Sequence, residues 1–313
     1  MRVAVIGVGS LGQHHARIFA NLPEARLLAV VDRDAARASE VGARHGVPAL
    51  TDHLDLPAEV EAVSVAVPTS THATVVEACL RRGWAVLVEK PMAATLAEAE
   101  EMARAARAAG RPLLVGHTER FNPVVRAARA RVRDPRFIEA HRLGVFTARS
   151  TDVDVVLDLM IHDLDVILSL VPSEVASIDS VGVQALTEKV DIANARIRFE
   201  NGCVANLTAS RISTDRVRKL RIFEHDSYVS IDYARQEGVA YTLVRDPGAR
   251  PEIAREILAV ESEEPLLAEL RSFAHRVRGQ DAPGVTADEG LRALGTALRV
   301  AEQIAAGGPG TDF

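Results

Sequence analysis

The sequence predicts an α/β domain built on a doubly wound parallel sheet, followed by an α+β domain with an open, mostly antiparallel sheet. Two observations lead to this prediction. Short β-branched runs alternate with helical patterns throughout residues 1–118. Further along the chain, apolar and polar residues alternate on both sides of Asn201-Gly202, a dipeptide typical of a two-residue β-hairpin turn. We therefore divide the chain into a first domain, 1–118, and a second domain, 119–313.

Composition and charge restrict the class of protein. The 313 residues are 48% hydrophobic and carry a net charge of −6, which fits a globular protein without a general nucleic-acid or anionic-membrane partner. No apolar stretch is long enough to span a bilayer, and the N-terminus reaches a glycine-rich turn too early for a signal peptide. Cys79 and Cys203 have neither disulfide-framework nor metal-ligand spacing. We therefore expect a cytoplasmic protein with reduced cysteines.

The first strand, Val3 to Ile6, leads directly into a G-x-G-x-x-G loop and then a helical pattern. In that context, one glycine makes the tight turn, the next lets a pyrophosphate approach the backbone, and the last packs the helix against the strand. The unpaired N–H groups at the start of the helix would then face the phosphates. The loop residues that we expect to contact the cofactor are Gly7, Gly9, Ser10, Leu11 and Gly12.

A carboxylate follows at the spacing that a dinucleotide site requires. The second strand, LLAVVD, ends at Asp32, about twenty residues after the glycine loop, where a carboxylate holds the adenosine ribose hydroxyls. Asp32 would repel a 2′-phosphate and favours NAD. Arg33 beside it would either stack on the adenine or pair with that phosphate, as NADP would require. His14 and His15 lie in the first turns of the helix, where we expect one solvated and one packed side chain.

The α/β alternation continues to residue 118, and three polar stretches follow its later strands. They are Pro68 to His72, Glu89 to Pro91, and Gly116 to Pro123. Each stretch alone has the composition of an ordinary strand-to-helix connection. The carboxyl ends of parallel strands meet at one edge of the sheet, so together the three stretches predict a ligand site there.

Residues 155–170 predict an apolar helix with a polar stripe. At helical spacing, Asp158, His162 and Asp165 share one face, while Asp163 lies off it where the helix surfaces. A helix that is apolar nearly all round is buried, so its polar stripe must face partners or a cavity. A core histidine held by a carboxylate, a metal site and a catalytic site all remain open, although no second ligand cluster accompanies the stripe.

The second domain contains further strand patterns, KLRIFE, YVSIDY and VAYTLV, that extend an antiparallel sheet beyond the hairpin. Ile197 and Phe199 give this sheet an apolar face, which either another subunit or a helix of the same chain would cover. A helix over Pro265 to Arg278 follows, and then one that Thr286 and Glu289 cap.

One basic segment departs from the acidic average of the chain. It contains Arg211, Arg216, Arg218, Lys219 and Arg221. Arginine clusters suit phosphate binding, which would indicate a phosphorylated or nucleotide-linked substrate. A solvated strand edge that resists aggregation is the alternative.

With its glycine loop, the sequence EKP after the fifth strand, and D-x-x-x-H some seventy residues later, the chain resembles the glucose-fructose oxidoreductase / inositol dehydrogenase / MocA family. The resemblance implies a Rossmann domain that binds a nicotinamide cofactor, NAD or NADP, and an α+β substrate domain. It places Lys90, Asp158 and His162 at the reacting carbon. The cofactor-side residues that it implies are Pro68, Thr69, His72, Glu89 and Lys90.

The resemblance also implies the reaction, a hydride transfer between nicotinamide and a secondary alcohol of a sugar, cyclitol or nucleotide sugar. A subgroup similar over Asp152 to Arg221 oxidises the 3-hydroxyl of UDP-N-acetylglucosamine. His162 would act as general base and Lys90 would stabilise alkoxide charge. Lys90, Arg120, Asp158 and His162 would contact the substrate, and the C-terminal sheet would form a homodimer or homotetramer. A non-catalytic NAD(P)- and sugar-sensing protein of the same fold is the alternative.

Where the family commonly has glycines around D-x-x-x-H, this chain has Leu157, Leu159 and Met160. The larger side chains change the shape expected of the substrate pocket rather than the hydride chemistry.

Overall fold

A computed structural model describes residues 1–147, 153–245 and 250–307. These residues form two compact units. Unit 1 comprises Met1–Thr118 and Glu264–Leu291, and unit 2 falls within Glu119–Glu263 and Arg292–Phe313. Among the described residues, no helix combines the length and the apolar character needed to cross a bilayer.

Unit 1 is built on a six-stranded, entirely parallel sheet in the order β3-β2-β1-β4-β5-β6. The strands are β1 (Arg2–Ile6), β2 (Arg26–Val31), β3 (Ala49–Leu50), β4 (Ala62–Val65), β5 (Ala85–Glu89) and β6 (Leu113–Gly116). The helices are α1 (Gly12–Asn21), α2 (Ala35–His45), α3 (His72–Arg81), α4 (Leu96–Ala109) and, after the chain returns, α7 (Pro265–Val277). This order confirms the doubly wound parallel sheet.

Helix ends in unit 1 follow from local sequence. Asp34 caps α2, because its Oδ1 accepts the N–H groups of Ala36 and Arg37, both at 3.1 Å. Thr95 and Glu98 form a capping box at the start of α4.

The division into units differs from the predicted division, 1–118 and 119–313, in one respect. Residues Glu264–Leu291 were assigned to the second domain, whereas they belong to unit 1. The physical reason is burial. Leu270, Phe273 and Ala274 of α7 belong to the same buried core cluster as Val3 of β1 and Leu27 of β2.

Unit 2 contains an eight-stranded sheet in the order β14-β13-β12-β11-β7-β10-β9-β8. The strands are β7 (Phe137–Leu143), β8 (Val175–Val183), β9 (Ile192–Phe199), β10 (Val204–Ser210), β11 (Val217–Phe223), β12 (Ser227–Asp232), β13 (Glu237–Val244) and β14 (Glu252–Ile257). Every neighbouring pair is antiparallel except β7 and β10. The mostly antiparallel sheet and its β9–β10 hairpin are therefore confirmed.

Helices cover one face of this sheet. They are α5 (Pro123–Arg131), α6 (Ile161–Leu170) and the later part of α8 (Ala287–Ala305). Ile197 and Phe199 are 0% and 3% exposed, and they pack with Ile167 of α6 in this core. Of the two predicted alternatives for this face, the covering helix is the one observed.

The opposite face of the sheet carries a row of aromatic rings. Phe137, Phe223, Tyr228 and Tyr241 lie on four adjacent strands, with successive ring centroids 5.7, 4.7 and 5.7 Å apart. All four side chains are half-buried.

Candidate active site

The glycine loop of unit 1 leaves room for a pyrophosphate at one position. A Cβ on Gly7, whose φ is +84°, would lie 2.5 Å from the Ala66 carbonyl oxygen, and one on Gly12 would lie 1.7 Å from that of Gly7. These two glycines allow close backbone packing. A Cβ on Gly9 would meet no described atom within 4 Å. The loop therefore fits NAD, because Gly9 borders open space at the N-terminus of α1.

Asp32 lies at the end of β2 and is held beside this loop. Its Oδ2 accepts the Val8 N–H at 3.0 Å, and its Oδ1 accepts the Asp34 N–H at 3.0 Å. Arg37 Nη1 donates to both oxygens, at 3.2 and 3.3 Å. Sequence reasoning named Arg33 and missed Arg37, although both side chains are exposed. Both arginines lie near the carboxylate that discriminates against a 2′-phosphate.

The loop after β4 is joined to the loop after β5 through a buried histidine. Thr69 follows Pro68 in a short 3-10 turn, and His72 begins α3. The His72 side chain lies 2.9 Å from the Val67 carbonyl through Nε2 and 3.0 Å from the Pro91 carbonyl through Nδ1. Burial lowers the pKa of His72. His72 therefore connects two strand-end loops, and its contact with a cofactor stays a prediction.

Glu89 at the end of β5 is buried, and it contacts a second histidine. His15 Nε2 lies 2.9 Å from Glu89 Oε1, and Glu89 Oε2 accepts the Lys90 backbone N–H at 3.2 Å. His15 Nδ1 is also 2.7 Å from Ser64 Oγ. Lys90 is half-buried, and the peptide bond between Lys90 and Pro91 is cis. The sequence identified His15 as packed but gave no sign of its partners.

In unit 2, the predicted helix over residues 155–170 begins as a π-helical turn. Val156–Met160 form that turn and α6 follows it. Asp154 caps the segment, because its Oδ1 accepts the N–H groups of Val156 and Leu157 at 2.9 and 3.0 Å. Asp158 and His162 are both half-buried. They keep the partial access that a role in substrate binding requires, and π turns of this kind frequently occur at functional sites.

The expectation that Asp163 lies where the helix surfaces is wrong. Asp163 is 2% exposed and forms a bidentate ion pair with Arg142 of β7, at 2.8 Å from Nε and 3.0 Å from Nη2. Arg142 Nη1 donates to Glu119 Oε1 at 3.0 Å. Burial lowers the pKa of Arg142, but Asp163 and Glu119 outweigh it and raise that pKa. The helix meets a strand that supplies the missing positive charge, so the carboxylate can be buried.

Asp165 is also buried, at 2% exposure. Arg120, which the resemblance assigned to the substrate, has its Nη1 3.6 Å from Asp165 Oδ1. Its described contact thus lies within the protein, and its contact with a substrate stays a prediction.

The basic segment does not form one patch. Arg211 is 7% exposed, donates to the Val153 carbonyl and lies 3.8 Å from Asp191. On β11, Arg218 lies two and four residues before the buried residues Leu220 and Ile222. Every second residue of a strand points to the same side, so Arg218 lies on the helix-covered face.

The remaining basic residues are distributed differently. Lys219 and Arg221 lie on the opposite face from Arg218, where Arg221 pairs with Glu139 at 3.3 Å. Arg216 is exposed and precedes β11. Among the described residues, no group of three or more His, Cys, Asp and Glu side chains could hold a metal ion.

Comparison with known proteins extends these observations. Residues 1–117 match a family model described as "oxidoreductase family, NAD-binding Rossmann fold", and residues 124–225 match the GFO/IDH/MocA C-terminal domain. The UDP-N-acetylglucosamine 3-dehydrogenase of Acidithiobacillus ferrooxidans is 38% identical over 96% of each chain. Its solved structure has a TM-score of 0.90 at 37% identity and covers 98% of each chain. The inositol 2-dehydrogenase of Rhizobium meliloti is 24% identical over 97% of each chain. The chain therefore belongs to the GFO/IDH/MocA family of oxidoreductases and carries that family's NAD-binding Rossmann fold.

Proposed function

We propose that this protein oxidises a secondary alcohol of a sugar or nucleotide sugar, with the 3-hydroxyl of UDP-N-acetylglucosamine as the preferred target. The observation that carries the proposal is the 38% identity, over nearly the whole chain, to a dehydrogenase of that nucleotide sugar. The presence of Lys90, Asp158 and His162 supports it, because those residue types suit removal of a proton and stabilisation of the resulting oxygen.

The roles of the three residues follow from their chemistry. When bound, NAD supplies the acceptor for the hydride that leaves the substrate carbon. His162 takes the hydroxyl proton, since an imidazole titrates near neutral pH. Lys90 donates a hydrogen bond to the same oxygen and stabilises its developing negative charge. Asp158 orients the imidazole or a neighbouring substrate hydroxyl.

We also propose that the protein forms a homodimer or homotetramer through the aromatic face of the unit 2 sheet. A row of partly exposed aromatic rings is typical of a subunit interface, where Tyr and Phe are enriched. Ile253 and Ile257 on the edge strand β14 support this proposal, because they are 72% and 65% exposed. The free, buried cysteines Cys79 and Cys203 fit a reducing compartment such as the cytoplasm.

The experiment is to incubate the protein with NAD and a panel of sugars, cyclitols and UDP-sugars, while following the absorbance of reduced nicotinamide. We expect UDP-N-acetylglucosamine to give the highest kcat/KM. Lys90→Met should reduce turnover by about 10³-fold or more while NAD affinity stays nearly unchanged. No turnover across the panel, with retained NAD binding, would contradict the proposal and favour a sensor.

A further inference from the structure

Three buried polar side chains of unit 1 form a continuous chain of contacts that ends at Lys90. His15 from α1, Ser64 from β4 and Glu89 from β5 are 1%, 0% and 7% exposed. His15 contacts Ser64 at 2.7 Å through Nδ1 and Glu89 at 2.9 Å through Nε2. The other Glu89 oxygen accepts the Lys90 N–H. Each link comes from a different element, so the tertiary fold assembles the chain.

Packing alone does not account for these residues. Replacing a buried ion pair by apolar side chains of similar volume is often neutral or stabilising, so stability alone does not require these polar groups. The neighbouring strand β6 also leaves space for the Glu89 carboxylate. Gly116 of β6 lies opposite Glu89, and a Cβ there would lie 3.1 Å from the Glu89 carboxylate. A side chain at position 116 would therefore displace the carboxylate.

The groups around Glu89 favour its ionised form. Among the described residues, the titratable groups that interact with it are His15 from α1, Lys90 directly after β5 and His72 from α3. Burial would raise the pKa of Glu89, but the hydrogen bond and charge of His15, followed by the charge and N–H of Lys90, lower it overall. Ser64 Oγ lies 2.7 Å from the other nitrogen of the same ring and holds that ring in place between β4 and the carboxylate.

We propose that His15 and Ser64 are positioning residues that hold Glu89 as an anion beside Lys90. This inference rests on the proposed function for the role of Lys90, and it adds two residues that do not touch substrate. The Glu89 anion accepts the Lys90 backbone N–H and thereby fixes the backbone from which the Lys90 side chain reaches the substrate oxygen. Without His15, the buried Glu89 would take up a proton and that support would be lost.

The first test needs no substrate. Infrared difference spectra of His15→Leu against His15→Leu/Glu89→Gln isolate the Glu89 carboxyl group over a pH titration. We expect a protonated-carboxyl band near neutral pH in His15→Leu that is absent from the wild type. An ionised Glu89 at the same pH in both proteins would overturn the proposal. Ser64→Ala serves as a second variant if His15→Leu does not fold, and it should shift the titration in the same direction by a smaller amount.

The second test measures kcat/KM against pH with NAD and UDP-N-acetylglucosamine. In His15→Leu, we expect the acid limb to move to higher pH by about one unit, because the Glu89 anion forms only at higher pH, with the Kd for NAD unchanged. His14→Leu is the matched control, because His14 is exposed on the same turn of α1 and should leave the profile unaltered. A profile for His15→Leu that coincides with the control would overturn the proposal. Lack of turnover in the wild type would count against the proposed function alone, since the infrared titration reports on Glu89 directly.

Discussion

Arg218 and Lys219 are adjacent on β11 but face opposite sides of the unit 2 sheet, so they provide a test of nucleotide-sugar recognition. Arg218 pairs in register with Arg142 of β7, which binds Asp163 directly after His162. Both side chains are exposed. Neither has an ion pair among the described residues, whereas Arg142 already binds two carboxylates. Within the described part of the chain, Arg218 is thus a cation beside α6 that has no ion pair, and we expect a diphosphate to bind it.

The expected effect of Arg218→Ala on the KM follows from the exposure of the Arg218 side chain. A hydrogen bond to a charged group contributes about 1.5–3 kcal/mol, and the lower end applies because Arg218 is solvent-accessible. About 1.4 kcal/mol corresponds to tenfold in affinity, so Arg218→Ala should raise the KM for UDP-N-acetylglucosamine about tenfold. Lys219→Ala removes the same charge from the other face and should change that KM less than about twofold.

The assay is the initial rate at saturating NAD, followed by reduced-nicotinamide absorbance, at two salt concentrations. The Kd for NAD should be the same in the wild type and in both variants. Higher salt should raise the wild-type KM and affect Arg218→Ala less, because part of the attraction is already gone. Equal effects of Arg218→Ala and Lys219→Ala, or none in either variant, would show that the face assigned to Arg218 does not bind the diphosphate.

Three further predictions concern the cofactor loop and two buried carboxylates. Gly9→Ala should weaken NAD binding at least about tenfold, because the added Cβ would occupy the space of the pyrophosphate. It should not lower Tm, because that Cβ meets no described atom of the protein. An unchanged Kd by calorimetry would contradict the assigned pyrophosphate position. Asp163→Ala should lower the free energy of unfolding in urea by about 3–5 kcal/mol, because it leaves Arg142 with one buried carboxylate fewer. Asp163→Leu/Arg142→Met should recover most of that loss. Equal destabilisation of the single and double variants would argue against the ion pair. Burial would raise the pKa of Asp191, but N–H groups of the preceding loop lower it from 3.8 to about 2. Asp191 should therefore contribute about 2 kcal/mol to the free energy of unfolding above pH ~4, and this contribution is lost as the pH falls towards ~2. Asp191→Asn should flatten this acid dependence, whereas Asp179→Asn, which removes an exposed carboxylate of β8, should not.

Sequence patterns predicted the elements of unit 1 because its strands are buried on both sides and its helices carry local capping signals. The reciprocal cap of Thr286 and Glu289 was predicted residue by residue. The strands of unit 2 were predicted only where apolar and polar residues alternate. β14 gave no such signal, because all its residues are exposed.

Predictions failed where the answer depended on residues far apart in the chain. The burial of Asp163 requires Arg142, which is 21 residues away on a strand that the pattern did not reveal. The face of Arg218 depends on the register of β11 against β7. The π-helical turn before α6 likewise has no marker, since Val156–Met160 would suit an ordinary helix.

The return of Glu264–Leu291 to unit 1 has a consequence for how the chain can be made and divided. During synthesis, residues 1–118 leave the ribosome long before α7. Their hydrophobic core therefore stays incomplete while β7 to β14 are translated, because Phe273 and its neighbours in α7 belong to that core. A fragment that ends at residue 118 would expose the surface that α7 normally buries and would tend to aggregate. An expressible NAD-binding module therefore requires a second segment, supplied by grafting α7 through a short linker or by co-expressing it.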